Sequence, residues 1–107
     1  MAETYKKLSQ GQVAASTAAI HTGISTGTTI IRHIRLVNNH SATVPVELYH
    51  DGTGATNKIL PALNIAAGGW AESDGVIIME ASDTLQANDG SNGGNKVTYT
   101  VYGLELT

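Results

Sequence analysis

Four histidines, His21, His33, His40 and His50, are the side chains of this 107-residue chain best suited to bind a metal ion. Zinc sites in regular structure repeat their ligands at short spacings, as in HExxH. None of these histidines lies two residues from another, and no HExxH or paired-carboxylate motif accompanies them. The chain has no cysteine, so thiolate ligands and disulfides are excluded. We therefore expect no metal site and no cofactor.

Two of these histidines have charged neighbours in the sequence. On a strand, His33 would share a face with Arg35, which favours cation repulsion over metal ligation. His50 is followed by Asp51, so the two could form a local hydrogen bond at a strand end.

Glu72 and Asp74 could form a pair of catalytic carboxylates, because residues two apart on a strand point to the same face. Gly75 follows them and indicates a turn, which favours a solvated strand edge instead. The sequence contains no GxSxG motif and no cysteine that could act as a nucleophile. We therefore predict no catalytic residues and no enzymatic activity.

Two glycine-rich segments, 51–57 and 88–95, could cradle phosphate or calcium. A phosphate loop carries a Lys-Ser/Thr pair and leads into a helix, and neither segment does both. The second segment also departs from the ligand spacing of a calcium loop. Both segments are expected to be exposed turns. An open alternative is that they bind carbohydrate, with Trp70 or Tyr49 stacking on a sugar ring.

Composition and charge exclude several kinds of partner. The net charge is −3, and the six Lys and Arg residues are scattered rather than gathered in the basic stripe that nucleic-acid binding needs. No window approaches 18 apolar residues, so no membrane partner is expected. The N-terminal residues lack the apolar core of a signal peptide. The absence of cysteine fits assembly in a reducing cytoplasm.

The segment 28–50 organises the predicted fold, because two apolar runs flank the polar break 38–43. Alternation in Val44–His50 predicts a strand with one buried face. The run Thr28–Val37 changes parity along its length, which predicts a β-bulge near Arg32 and His33. The pair therefore forms either a hairpin or a corner of a sandwich.

Further strands are predicted along the rest of the chain, with Val76–Glu80 buried on both faces and a bulge at Gly103. About eight strands separated by regular turns indicate an all-β fold. We predict an antiparallel β-sandwich, jelly-roll-like, over residues 17–107. Residues 1–16 form an N-terminal arm or first strand, which pairs either along a neighbouring subunit or within its own sheet.

Interaction surfaces are expected where aromatic or apolar side chains fall outside the predicted core. Tyr49 and Tyr102 lie on the polar parity of their strands, and Trp70 either plugs the end of the sandwich or anchors a contact. In the N-terminal segment, anchors are expected between Tyr5 and Val13. The predicted interface residues are Tyr5, Leu8, Val13, Tyr49, Trp70 and Tyr102.

Several segments resemble small virion proteins of tailed bacteriophages. The resemblance is carried by Ile34–Asn38, Val46–Tyr49, the loop at 51–54, Ala66–Trp70, Asp83–Ala87 and Val97–Glu105. It covers nearly the whole chain, and its motifs are strand and turn signatures rather than catalytic ones. This sequence has Ser82 where the family usually has glycine before the Asp-Thr-Leu turn.

The resemblance implies an all-β sandwich that is built into the phage particle. The leading expectation is a capsid decoration, or cement, protein on the outer surface of the head. Its partners would be the major capsid protein and further copies of itself, as a homotrimer. A neck, tail or head-fibre component is the alternative.

Overall fold

The computed structural model describes residues 5–52, 54–90 and 92–106. Within these residues the chain forms nine β-strands and one short 3-10 turn, Ala55–Asn57. The strands are β1 (Lys6–Gln12), β2 (Ala18–Thr22), β3 (Thr28–Asn38), β4 (Val44–His50), β5 (Lys58–Ile65), β6 (Trp70–Ser73), β7 (Ile77–Met79), β8 (Thr84–Asn88) and β9 (Val97–Leu106). None of the described residues forms a helix long and apolar enough to cross a membrane.

The strands pair in two antiparallel sheets that pack as a sandwich. The five-stranded sheet has the order β1-β9-β3-β6, with β7 also paired to β3, and the four-stranded sheet has the order β2-β8-β4-β5. The first strand thus pairs with the last, β2 with β8, and β4 with β5, as in a long hairpin wrapped into a jelly roll. β6 and β7 pair with successive parts of β3 and therefore occupy a single position in their sheet. The nine strands thus fill eight positions in the sandwich. The predicted jelly-roll-like sandwich of about eight strands is confirmed.

The core lies between the two sheets and follows the predicted alternation. The inward side chains of β3 and β4, such as Leu36, Val44 and Leu48, are fully buried. The last strand alternates in the same way, with Val97 and Val101 facing inward. Period-two burial from both sheets therefore builds a single apolar layer.

The predicted bulge in β3 is confirmed, but the one at Gly103 is not. The β3–β9 register shifts between Ile31 and His33, so Arg32 is the extra residue. β9 runs without interruption through Gly103, where an added Cβ would lie 2.1 Å from the carbonyl oxygen of Ile30. Gly103 therefore permits a close approach of β3 rather than bulging itself.

Gly11 does not interrupt the first strand. β1 continues through Gly11 and pairs with Tyr99 of the last strand. A Cβ at Gly11 would lie 2.8 Å from the Tyr99 hydroxyl, so the missing side chain makes room for the aromatic ring. Of the two alternatives for residues 1–16, the described part pairs within its own sheet. Residues 1–4 of that arm lie outside the described residues.

The prediction that Val76–Glu80 is buried on both faces is wrong. Met79 is fully buried, but 56% of Val76 and 59% of Ile78 are exposed. β7 pairs with β3 at the edge of the five-stranded sheet, and only the inner face of this sheet packs on the other one. A continuous apolar run therefore does not mean burial here.

Ser82 keeps the turn geometry that the resemblance put in question. Its φ angle is 63°, in the left-handed region that glycine adopts without strain. The turn into β8 is closed by Asp83, whose carboxylate accepts a hydrogen bond from the Glu80 backbone N–H at 2.9 Å. A serine at this position therefore supports the turn expected for glycine, at some conformational cost.

Candidate functional site

Exposed aromatic side chains gather on the outer face of the five-stranded sheet. The register places Trp70 opposite Val37 and Tyr102 opposite His33, and their neighbours along each strand point into the core. Trp70 is 59% exposed and Tyr102 is 39% exposed. Tyr5, 62% exposed, lies just before β1 at the edge of this sheet. The exposure of Trp70 excludes the alternative that it plugs the end of the sandwich.

Two arginines of β3 lie against these aromatic rings. The guanidinium carbon of Arg35 is 5.2 Å from the centre of the Trp70 ring. Arg32 is 5.7 Å from the Tyr5 ring and donates a hydrogen bond to its hydroxyl at 3.1 Å. Cation–π contacts of this kind restrict the movement of both side chains and cover only a small part of the ring surface. Pairs of aromatic and arginine side chains are typical of interface hot spots.

Neither arginine was among the interface residues predicted from the sequence. Arg35 is opposite in parity to the buried Leu36, so its outward direction was readable from the alternation. For Arg32, the sequence predicted only that it lies at the bulge, not the direction of its side chain. The ring that each one contacts is 27 or more residues away and gives no local signal.

His33 lies between two carboxylates on the same face. Its Nδ1 is 2.5 Å from Asp74 Oδ1, and its Nε2 contacts Glu72. The Tyr102 ring lies 5.9 Å from the imidazole. On the face that it shares with Arg35, His33 is therefore flanked by the Glu72 and Asp74 carboxylates, and the three side chains form a cluster.

This cluster does not have the arrangement of a metal centre. Glu72 and Asp74 approach different nitrogens of the His33 ring, so the three groups diverge instead of converging on one point. In the parts of the chain that the structure describes, no three histidine, aspartate or glutamate side chains are grouped to hold a metal ion.

A pocket of about 280 Å³ opens at the β6–β7 edge of the sandwich. Its walls come from the end of β4, the start of β5 and the stretch that runs from the end of β6 into β7. The lining residues are His50, Ile59, Ser73, Gly75, Val76, Ile77 and Ile78. Most of this lining is apolar, and the exposed side chains of Val76 and Ile78 belong to it.

The polar side chains of this pocket are those of His50 and Ser73. His50 has a partner outside the pocket lining. Its Nε2 is 3.2 Å from Asp83 Oδ2, so its partner is a residue 33 positions away and not Asp51 as predicted. Asp51 instead bonds through its backbone to Thr84, at 2.6 Å. The expected local bond at the strand end is therefore wrong, because the turn before the neighbouring strand β8 supplies the partner.

The other predicted interface residues lie elsewhere. Val13 is fully buried in the core, and Leu8 is half-buried against it, so this chain does not present Val13 to a partner. Leu8 is the extra residue at a bulge in β1, which turns it inward. Tyr49 lies on the outer face of the other sheet, where its hydroxyl donates to Glu47 at 3.4 Å.

Glu47 also pairs with Lys58 across two strands of that outer face. The hydrogen bond from Lys58, followed by one from Asn88, lowers the pKa of the Glu47 carboxyl. The same contact raises the pKa of Lys58. Both side chains are solvated, so this pair contributes to the polarity of the face more than to stability.

The two glycine-rich segments lie at opposite ends of the sandwich. Asp51 contacts the start of β8, whereas Gly90 packs on Pro45 near the start of β4. β4 separates them by roughly 20 Å at the usual rise per residue. They therefore cannot form one sugar-binding site together.

Asp89 explains the geometry of the second segment. It is fully buried, and its carboxylate accepts hydrogen bonds from the backbone N–H of Asn92 at 2.8 Å and of Gly94 at 2.7 Å. These contacts use its oxygens to hold the turn. The second segment is therefore a turn, as predicted, although Asp89 within it is buried and not exposed.

Comparison with known proteins identifies a shared fold. No protein-family model matches the sequence, and no curated protein is significantly similar to it. A solved structure of Bacillus endospore appendages, described as a novel family of disulfide-linked pili, aligns with a TM-score of 0.55 and 17% identity over 98% of this chain and 89% of that chain. A chain from the structure of infectious bursal disease virus, Gx strain, aligns with a TM-score of 0.44 and 11% identity over 97% of this chain and 30% of that chain. At these identities the similarity to the appendage shows the fold alone.

Proposed function

We propose that this protein is a structural component of a tailed-bacteriophage particle, most specifically a capsid decoration protein on the outer surface of the head. It assembles in the cytoplasm of the bacterial host and binds the major capsid protein and further copies of itself, as a homotrimer. The proposal combines the sequence resemblance with the jelly-roll fold. It involves no enzymatic step, no cofactor, no nucleic acid and no membrane.

The observation that carries the proposal is the aromatic outer face of the five-stranded sheet. On its β1–β9 side, Tyr5 and Tyr102 are exposed beside Arg32 and Lys7. Lys7 pairs in register with Tyr102, so its ammonium group adds charge to the same area. Exposed aromatic rings flanked by cations suit docking on an apolar patch with an acidic rim.

Many weak contacts would suffice for such a protein. A module that binds only the assembled lattice stabilises it by its binding free energy. Repetition around symmetry axes strengthens a modest contact. Two tyrosine anchors per copy therefore meet the requirement without a deep binding pocket.

Copy number tests where in the particle the protein resides. A decoration protein is present in hundreds of copies, comparable to the major capsid protein, whereas a neck, tail or fibre component is present in about a dozen or fewer. Quantitative mass spectrometry of purified particles distinguishes these results. A dozen copies would replace the decoration role by the connector alternative.

Point variants test the docking face better than removal of the N-terminal segment, because β1 is part of the sheet. Tyr102→Ala is expected to weaken binding of the purified protein to heads lacking it by about tenfold or more. Tyr49→Ala is the matched control, since it removes the same side chain from the outer face of the other sheet. Equal binding by the Tyr102 variant and the wild type would contradict the docking face, and so would an equal loss in the Tyr49 variant.

A further inference from the structure

We propose that the pocket at the β6–β7 edge receives Trp70 from a second copy of this chain, with Arg35 of that copy next to Asp74. This contact specifies the self-association named in the proposed function and uses the β6 side of the outer face. The lattice docking proposed above uses the β1–β9 side, so the two contacts do not compete.

The pocket fits an intruding side chain better than a free small molecule. Its volume of about 280 Å³ lies just below the range of roughly 300–1,000 Å³ for small-molecule sites, which enclose most of their ligand. Val76 and Ile78 are more than half exposed at the pocket, so they offer contact area beyond it. A protein surface that carries one protruding side chain would cover the pocket and these two residues together.

Trp70 is the side chain of this chain that matches the pocket. Among the described residues, five large apolar side chains are exposed: Tyr5, Trp70, Val76, Ile78 and Tyr102. Val76 and Ile78 belong to the pocket, and the two tyrosines lie on the β1–β9 side of the face. Trp70 remains, and tryptophan is the residue most enriched at interface hot spots.

Charges around Trp70 and around the pocket are complementary. Arg35 lies over the Trp70 ring and forms no ion pair with any described carboxylate. Asp74 adjoins the pocket residue Gly75, and its side chain is 82% exposed. Its Oδ1 contacts His33, so Oδ2 is available to accept from a guanidinium group. A neighbouring Trp70 would therefore bring its arginine to an exposed carboxylate.

A chain cannot fill its own pocket in this way. Trp70 begins β6 and points to the outer face beside Val37, whereas the pocket begins at Ser73 and extends to Ile78. Within the described part of the chain, β6 and β7 pair only with β3, so a second copy can approach this edge. The Trp70 side chain and the pocket are different surfaces of the chain. The contact is therefore either formed twice across a two-fold axis or repeated around a closed oligomer such as a trimer.

Trp70 reports on this contact directly, because the chain has one tryptophan. In dilute solution its fluorescence should resemble that of a solvated indole. As the concentration of the pure protein rises, the emission should shift to shorter wavelength in step with the increase in mass seen by sedimentation velocity. A wild-type protein that stays monomeric with unchanged emission would overturn the inference.

Two variants then locate both sides of the contact. Trp70→Ala removes the ring, and Val76→Asp places a charge at the pocket; each should raise the dissociation constant for self-association at least tenfold. Both positions are exposed, so thermal unfolding curves should remain close to wild type. Tyr49→Ala, on the outer face of the other sheet, is the control that should associate normally.

Mixing the two variants tests the pairing itself. The Trp70→Ala protein retains the pocket, and the Val76→Asp protein retains the ring. An equimolar mixture should therefore form mixed complexes at a concentration at which each variant alone is monomeric. If the mixture stays monomeric, Trp70 does not enter the pocket of a second copy. These measurements need no phage particles, so their failure is distinct from a failure of lattice binding.

Discussion

Gly103→Ala should destabilise the protein severely, because the central strands β3 and β9 touch at this position. A Cβ there would lie 2.1 Å from the Ile30 carbonyl oxygen and 3.0 Å from the Ile31 Cα. To bring the first distance even to 3.0 Å, the two backbones must separate by about 0.9 Å. That movement stretches the adjacent ladder hydrogen bonds beyond normal length.

The expected cost follows from this movement. Two weakened hydrogen bonds account for about 2 kcal/mol, and overpacking adds about 1–3 kcal/mol. A total of about 3–5 kcal/mol is a large part of the 5–15 kcal/mol that stabilises a typical domain. The free energy of unfolding is measured by urea denaturation, followed by circular dichroism. A protein that no longer folds would also agree with the clash.

Gly75→Ala is the matched control. No atom lies within 4 Å of a Cβ at Gly75, and its φ angle is outside the left-handed region. The same substitution there should change the free energy of unfolding by less than about 1 kcal/mol, with a slight gain from a less flexible unfolded chain. The reasoning is refuted if Gly103→Ala unfolds within 1 kcal/mol of the wild type.

Two further predictions concern the buried carboxylate and the half-buried histidine. Asp89→Asn should lower the free energy of unfolding by about 2–3 kcal/mol, because an amide nitrogen replaces an oxygen that accepts from the N–H of Asn92 or Gly94. Added calcium should leave the urea denaturation curve of the wild type unchanged. A calcium-dependent gain in stability would contradict the assignment of these oxygens to the turn. Burial lowers the pKa of the His21 imidazole, with Glu105 offsetting part of the effect, so the unfolded chain binds more protons and stability should fall as the pH drops below about 6.5. In denaturation series from pH 8 to 5, His21→Gln should show a smaller slope than the wild type, and equal slopes would count against this explanation.

Local alternation was enough to predict the strands that build the core. Val44–His50 has the predicted bounds, because its side chains alternate along the whole segment. The β3 bulge was also predictable, since a change of parity within one strand requires an extra residue. Outward aromatic residues such as Tyr102 follow from the same rule.

Alternation does not tell which strand lies next to which, and several site features depend on that. A glycine within a strand suggests a bulge, but Gly103 is required for another reason: the backbone of β3 passes too close to leave room for a Cβ. His50 binds Asp83 and not its neighbour, because β4 and β8 pair in the four-stranded sheet. Val13 is buried although it follows an edge strand, since the start of β9 lies against it.

The amino-acid pattern thus specifies where strands begin, which side of each is apolar and that two sheets must pack. Folding alone brings Arg35 to Trp70 and leaves Ile78 exposed beside a pocket. The physical reason is the distance along the chain over which each feature is determined. Side-chain alternation depends on a few consecutive residues. Burial and side-chain contacts depend on segments tens of residues apart, which meet only when the two sheets pack on each other.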